Sequence, residues 1–201
     1  MSNIPPIVVG ITGASGAPYA VRLLQALTAA HRPVSLIVSK YGMRLLATES
    51  GIESIDALRD VVGIDAWASC VETFSNDDRG APPASGSAKT SGMVVCPCSM
   101  GTLSAIAVGA SRSLIERAAD VTLKEGRKLI LVPRETPLSA IHLGNMLRLA
   151  RAGAVVMPAA PGFYHRPREI SDLIDFIVAR ILDHLGVEQN LAARWTGQPE
   201  R

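Results

Sequence analysis

Aromatic residues are scarce in the 201-residue chain, which has two tryptophans, three tyrosines and three phenylalanines. So few rings offer little on which unpaired bases could stack. Charge gives nucleic acid no better footing: twenty lysines and arginines oppose eighteen acids for a net charge of +2. That balance is too near neutral for binding a polyanion by bulk charge, so nucleic acid is excluded as a partner. Cysteine is rare too. Cys70, Cys96 and Cys98 are an odd number, which argues against a disulfide framework and for a reducing compartment. Cys96-Pro97-Cys98 lacks the C-x-x-C spacing of zinc or thioredoxin-like sites, and no second pair completes a tetrahedral set, so no metal is expected. No apolar run reaches the roughly 18 residues that span a bilayer. No basic side chain precedes Arg22 to form the flank of a signal peptide. The expectation is a cytoplasmic protein with no membrane contact.

What is present is a core. Hydrophobic residues make up 48% of the chain and charged residues 19%, enough apolar mass for one domain over residues 1–201. Apolar runs rich in β-branched residues fall at 7–11, 34–38, 93–96, 129–132 and 154–157. Segments of helical period alternate with them: Ala20, Val21, Leu23, Leu24 and Leu27, then 41–48, 99–108, 113–125 and 138–152. The clearest is the last, where Ile170, Leu173, Ile174, Ile177, Val178, Ile181, Leu182 and Leu185 form one apolar face. Buried strands each followed by a helix predict a doubly wound α/β fold, a Rossmann- or flavodoxin-like three-layer sandwich with a mainly parallel sheet. Ligands of such folds sit beyond the carboxyl ends of the strands. Residues 70–92 break the alternation, being polar and rich in Gly, Ser and Pro, and read as a long loop at the active site or at an oligomer interface.

Two turns offer themselves as ligand cradles. Gly13-Ala14-Ser15-Gly16 lies where the first strand hands over to the first helix, and the amides of a helix start favour an anion. It is neither the G-x-G-x-x-G dinucleotide fingerprint nor a P-loop, so a glycine turn required only for packing stays open. Ser99-Met100-Gly101-Thr102 follows another strand, with Ser99 as a candidate N-cap and small residues that leave the backbone open. Two such turns at one sheet edge point to a mononucleotide. Cations collect in the second half. Arg117 and Lys124 are seven residues apart on one helix face, Arg134-Glu135 directly follows a strand, and Arg180 lies in the last helix. A solvated helix face or a local salt bridge is the plain alternative for Arg117, Lys124 and Arg180. Tyr164 follows Pro161-Gly162-Phe163, and Glu49 ends the second helical segment. His31, His142, His165 and His184 show no pairing, and no nucleophile triad is visible.

Taken in order, Gly10-Ile11-Thr12-Gly13-Ala14-Ser15-Gly16-Ala17, Ser39-Lys40, Ala47-Thr48-Glu49, Ala84-Ser85-Gly86-Ser87, Cys96-Pro97-Cys98-Ser99, Arg117-Ala118-Ala119-Asp120-Val121, Pro133-Arg134-Glu135-Thr136-Pro137-Leu138 and Pro161-Gly162-Phe163-Tyr164-His165 resemble the UbiX-type flavin prenyltransferases. The likeness runs from about Ile7 to Trp195 and is weakest at 51–79. It implies an enzyme that joins the dimethylallyl group of dimethylallyl phosphate to N5 and C6 of reduced FMN without a metal. The prenylated FMN then serves a UbiD-type decarboxylase. It further implies that Gly13, Ala14, Ser15, Ser39, Ser99, Met100, Gly101, Thr102 and Arg134 contact FMN. Ser85, Arg117, Lys124, Glu135, Tyr164, Arg180 and Trp195 would surround the dimethylallyl phosphate. Ser15, Glu49, Glu135 and Tyr164 would act in the reaction. The family assembles as homododecamers with sites between subunits, so these groups need not come from one chain. Competing readings are a flavin-dependent decarboxylase of peptidyl-cysteine or of a polyprenyl hydroxybenzoate, and a flavin carrier without enzymatic activity. The peptidyl-cysteine enzymes depend on a histidine in the first half of the chain, and here none occurs between His31 and His142.

Overall fold

A computed structural model describes residues 4–192. Its strands are β1 (Ile7–Ile11), β2 (Val34–Val38), β3 (Val71–Ser75), β4 (Gly92–Cys98), β5 (Leu129–Pro133) and β6 (Val155–Val156). All pair in parallel, in the order β3-β2-β1-β4-β5-β6. The helices are α1 (Ala17–Ala29), α2 (Lys40–Ser50), α3 (Ile55–Val62), α4 (Ile64–Cys70), α5 (Met100–Ala107), α6 (Leu114–Lys124), α7 (Ala140–Arg151) and α8 (Ile170–Leu185).

Period-two alternation along buried strands separates two cores. Ile7, Val9 and Ile11 of β1 face Leu23, Leu24 and Leu27 of α1 and Ile177, Val178 and Ile181 of α8. Val8, Met93 and Val95 face Leu103 of α5, Ala118 and Ala119 of α6, and Leu149 of α7. Each such fully buried aliphatic side chain contributes about 1.5–3 kcal/mol relative to exposure. The anticipated three-layer sandwich is therefore what forms, with α1 and α8 on one face and α5, α6 and α7 on the other.

The 70–92 stretch differs from its reading as a continuous loop. Cys70 closes α4, residues 71–75 form β3 at the sheet edge, Pro82–Ala84 make one 3-10 turn, and Gly92 opens β4. The irregular part is 76–91. Helices α3 and α4 also lie outside the anticipated elements. Sequential strands run leftward from β1 through β2 to β3 and rightward from β4 through β5 to β6. The order reverses between β1 and β4, and the crevice beyond their carboxyl ends is the natural ligand position of such a sheet.

Candidate functional site

Thr12 closes the floor of that crevice. Only 2% exposed, it donates its hydroxyl to the Pro97 carbonyl at 2.8 Å and accepts the Ser99 amide at 2.8 Å, tying the end of β1 to the turn after β4. Ser99 caps α5, its Oγ accepting from the Thr102 amide at 3.3 Å and donating to Thr102 Oγ1 at 3.0 Å. Ser39 caps α2 in the same way, accepting from the Gly42 amide at 3.0 Å, while its own amide donates to the Ile11 carbonyl at 2.9 Å. Two glycines allow the α2 start to come this near. A Cβ on Gly13 would stand 2.4 Å from Cβ of Tyr41, and one on Gly42 would stand 2.4 Å from the Ile11 carbonyl oxygen. Cys96 and Cys98 lie beneath, where burial pushes the Cys96 thiol up to about 12 and the Cys98 thiol up as well. Neither is a thiolate near neutral pH.

The anion at the start of α1 is the chain's own. Glu49, from the last turn of α2, accepts the Gly16 and Ala17 amides on one carboxylate oxygen, each at 2.8 Å. Gly16 has no side chain with which to cap the helix, so Glu49 supplies the missing acceptor. Partial burial alone would raise the Glu49 carboxyl. The hydrogen bond from Ser15, the two amides and the charge of Arg134 outweigh it and hold the group below the ordinary carboxylate value. Arg134 itself donates from Nε to the Ser15 carbonyl at 3.3 Å. Ser15, Glu49 and Arg134 thus form one connected group at the rim. Glu135 is exposed beside it and accepts the Thr136 amide at 3.1 Å.

The remaining expected residues occupy two other places. Ser85 pairs with Ser87 through hydroxyls 2.8 Å apart, and the adjoining Gly86 packs against Lys124 and Glu125 at the end of α6. Arg127 pins this loop, donating to the Gly86 carbonyl at 2.7 Å and the Ala88 carbonyl at 2.8 Å. The Met93 amide meets the Lys128 carbonyl at 2.8 Å, so Lys124 stands at the amino ends of the strands, across the sheet from the rim. Arg117 lies two turns earlier on the same helix face and pairs with Asp120 at 2.8 Å. Tyr164 and Arg180 belong to the opposite layer. Tyr164 packs edge-on to Phe176 of α8, and Arg180, one turn further along α8, pairs with Asp183 at 3.1 Å.

One chain therefore brings together Ser15, Glu49 and Arg134 with Ser39, Ser99 and Thr102. It separately sets the Ser85–Ser87 loop, through Gly86, against the Lys124–Glu125 ion pair, and it leaves Tyr164 and Arg180 on the other face. Trp195 lies outside the described residues. Two structural residues leave no functional signal in the sequence: Thr12, inside the Gly10–Ala17 motif, and Arg127, a cation after α6.

A family model described as Flavoprotein matches residues 1–182. The chain is 50% identical to the flavin prenyltransferase UbiX of Pseudomonas aeruginosa, an alignment covering 98% of this chain and 97% of that one. It resembles the crystal structure of AnUbiX (PadA1) in complex with FMN and dimethylallyl pyrophosphate, with a TM-score of 0.90 and 41% identity over 98% of this chain and 100% of that one. The dodecameric FMN-dependent UbiX-like decarboxylase from Escherichia coli O157:H7 is also similar, with a TM-score of 0.88 and 43% identity over 96% and 100% of the respective chains.

Proposed function

The chain belongs to the UbiX flavin prenyltransferase family, and from that premise we propose that it joins a dimethylallyl group to N5 and C6 of FMN. The observation that carries the reading is the rim group at the β1–β4 switch point, where Ser15, Glu49 and Arg134 meet two capped helix starts. The donor set suits FMN: hydroxyls on Ser39, Ser99 and Thr102 for polar edges and Arg134 as the cation for a phosphate. Gly13, Ala14, Met100 and Gly101 would complete that hold. Reduced FMN supplies a nucleophilic N5 and the C6 position on which a further ring closes.

The protein supplies position and charge. An allylic phosphate departs as an anion, and Lys124, Arg180 and Tyr164 stabilise the charge that grows on it, with no metal required. Ser85 and Arg117 orient the ester, which makes the attack effectively unimolecular. Glu49 stays ionised at neutral pH and is ready to take a proton passed along by Ser15 Oγ, with Glu135 as the second carboxylate within the site. Lys124 and Ser85 lie across the sheet from Glu49, so the complete site draws on more than one chain of a homo-oligomer, a dodecamer by family analogy. The 76–91 loop is the segment that carries Ser85 to a neighbour's rim. The setting is the cytoplasm, and the product passes to a UbiD-type decarboxylase.

The purified assembly, given reduced FMN and dimethylallyl phosphate, should form a flavin heavier by one prenyl unit. Mass spectrometry that finds only unmodified FMN, while an active control succeeds, overturns the reading.

A further inference from the structure

His165 is the one histidine whose two ring nitrogens are both buried without a hydrogen-bond partner among the described residues. Its ring lies parallel to Phe176, with centroids 5.3 Å apart and planes at 5°. Tyr164 stands edge-on to both rings, 5.7 Å from each. A phenylalanine at position 165 would stack on Phe176 as well and bury no polar atoms. Shutting an imidazole away unpaired is costly, because each buried nitrogen loses its hydrogen bond to water. Such unpaired groups are rare in native structures, and a ligand is one partner that satisfies them.

The position of the ring indicates which partner. Residues 157–159 extend along β5, the Met157 and Ala159 amides donating to the Leu131 and Pro133 carbonyls at 2.8 and 2.9 Å, so the segment that follows leaves the sheet beside Arg134. Phe176 and Arg180 are four residues apart on α8 and share a face. His165 on Phe176, Tyr164 at its edge and Arg180 one turn onward therefore form a single strip that starts near the rim. An ester held by Tyr164 and Arg180 would sit on the same strip as the imidazole. Tyr164 is 56% exposed, so turning its ring off the imidazole toward the ester disturbs little buried surface.

We propose that His165 is a further phosphate ligand for the allylic ester, donating a ring N–H to a phosphate oxygen beside Tyr164 and Arg180. The inference rests on the prenyl-transfer reading, in which those two residues hold that ester. Hydrogen bonds to charged groups are the strong kind, so losing one should weaken ester binding about tenfold to a hundredfold.

The test uses the FMN-loaded assembly with dimethylallyl phosphate, read by calorimetry and by steady-state kinetics. His165→Phe, which keeps the stacked ring, should raise Kd and KM for the ester at least tenfold, leaving FMN affinity and kcat within about twofold. His165→Asn, which restores a donor near Nδ1, should recover part of the loss although it stacks worse. A His165→Phe protein with wild-type Kd and KM, or an Asn variant worse than the Phe variant, makes the ring a packing element and overturns the proposal. Should His165→Phe fail to assemble, His165→Gln replaces it, and unchanged ester binding in that variant has the same overturning force. If the unmutated protein takes up no ester at all, the prenyl-transfer reading falls and this inference falls with it. Normal uptake with unaltered variants sinks the inference alone.

Discussion

Glu49 occupies the position in which a helix start would otherwise recruit an external anion, and this capping role separates by charge from its proposed role as a proton acceptor. As a hydrogen-bond acceptor for Gly16 and Ala17 it can be replaced by an amide oxygen, whereas as a proton acceptor it cannot. Glu49→Gln should therefore bind FMN within about twofold of wild type and form product at least about a hundredfold more slowly. Flavin titration and timed mass spectrometry check the two halves. The sign of the pH effect follows from the depressed carboxyl. The wild-type rate should hold from neutrality down past the ordinary carboxylate pKa and fall only as pH drops through the lowered value. Stability contributed by the cap is likewise complete above the unfolded pKa and lost over that same acid window. A Glu49→Gln profile should lack this limb. At this scale the sequence was legible where a motif coincided with a turn: Ser99 caps α5 and the Gly13 turn hands β1 over to α1, as expected. It was silent on Thr12 because a threonine that bridges two strand ends 85 residues apart leaves no local pattern.

Among the elements, the approach of α2 to β1 sets the shape of the rim. Gly42→Ala would thrust a methyl group against the Ile11 carbonyl at 2.4 Å, displacing the Ser39 cap from the strand end. Overpacking of this kind costs about 1–3 kcal/mol, so thermal unfolding should fall by roughly 2–10 °C, and FMN affinity should fall with it. Gly144→Ala, in α7 with no atom within 4 Å of the added carbon, should leave both unchanged or slightly raise the melting temperature. Strands β1, β2, β4 and β5 were readable because burial on both faces makes them continuous apolar runs. β3 was not, since Val71-Glu72-Thr73-Phe74-Ser75 is an edge strand whose residues are mostly exposed or half-buried, and its polar members read as loop. Helices α3 and α4 are 8 and 7 residues long, too short to show two full repeats of a helical period.

For the whole molecule, the decisive fact is that Ser85 and Lys124 stand at the amino ends of the strands, away from Ser15, Glu49 and Arg134 at the rim. Two crippled variants should then rescue each other. Glu49→Gln and Lys124→Ala, each nearly inactive alone, should regain about a quarter of the wild-type rate when dissociated, mixed and reassembled, because random pairing restores one intact site in four. Mass spectrometry of the flavin product reads the outcome, and no recovery would place both residues in one chain's site. The architecture itself could be read from residue patterns, but no periodicity records which surfaces of two subunits meet. Arg127 bears on the proposed shared site. By fastening the Gly86 and Ala88 carbonyls to the end of α6, it makes the hydroxyl of Ser85 and the ammonium of Lys124 a preassembled cassette. In the proposed shared site, a docking subunit delivers this loop and the end of α6 to its neighbour as one rigid piece rather than as two independently moving parts.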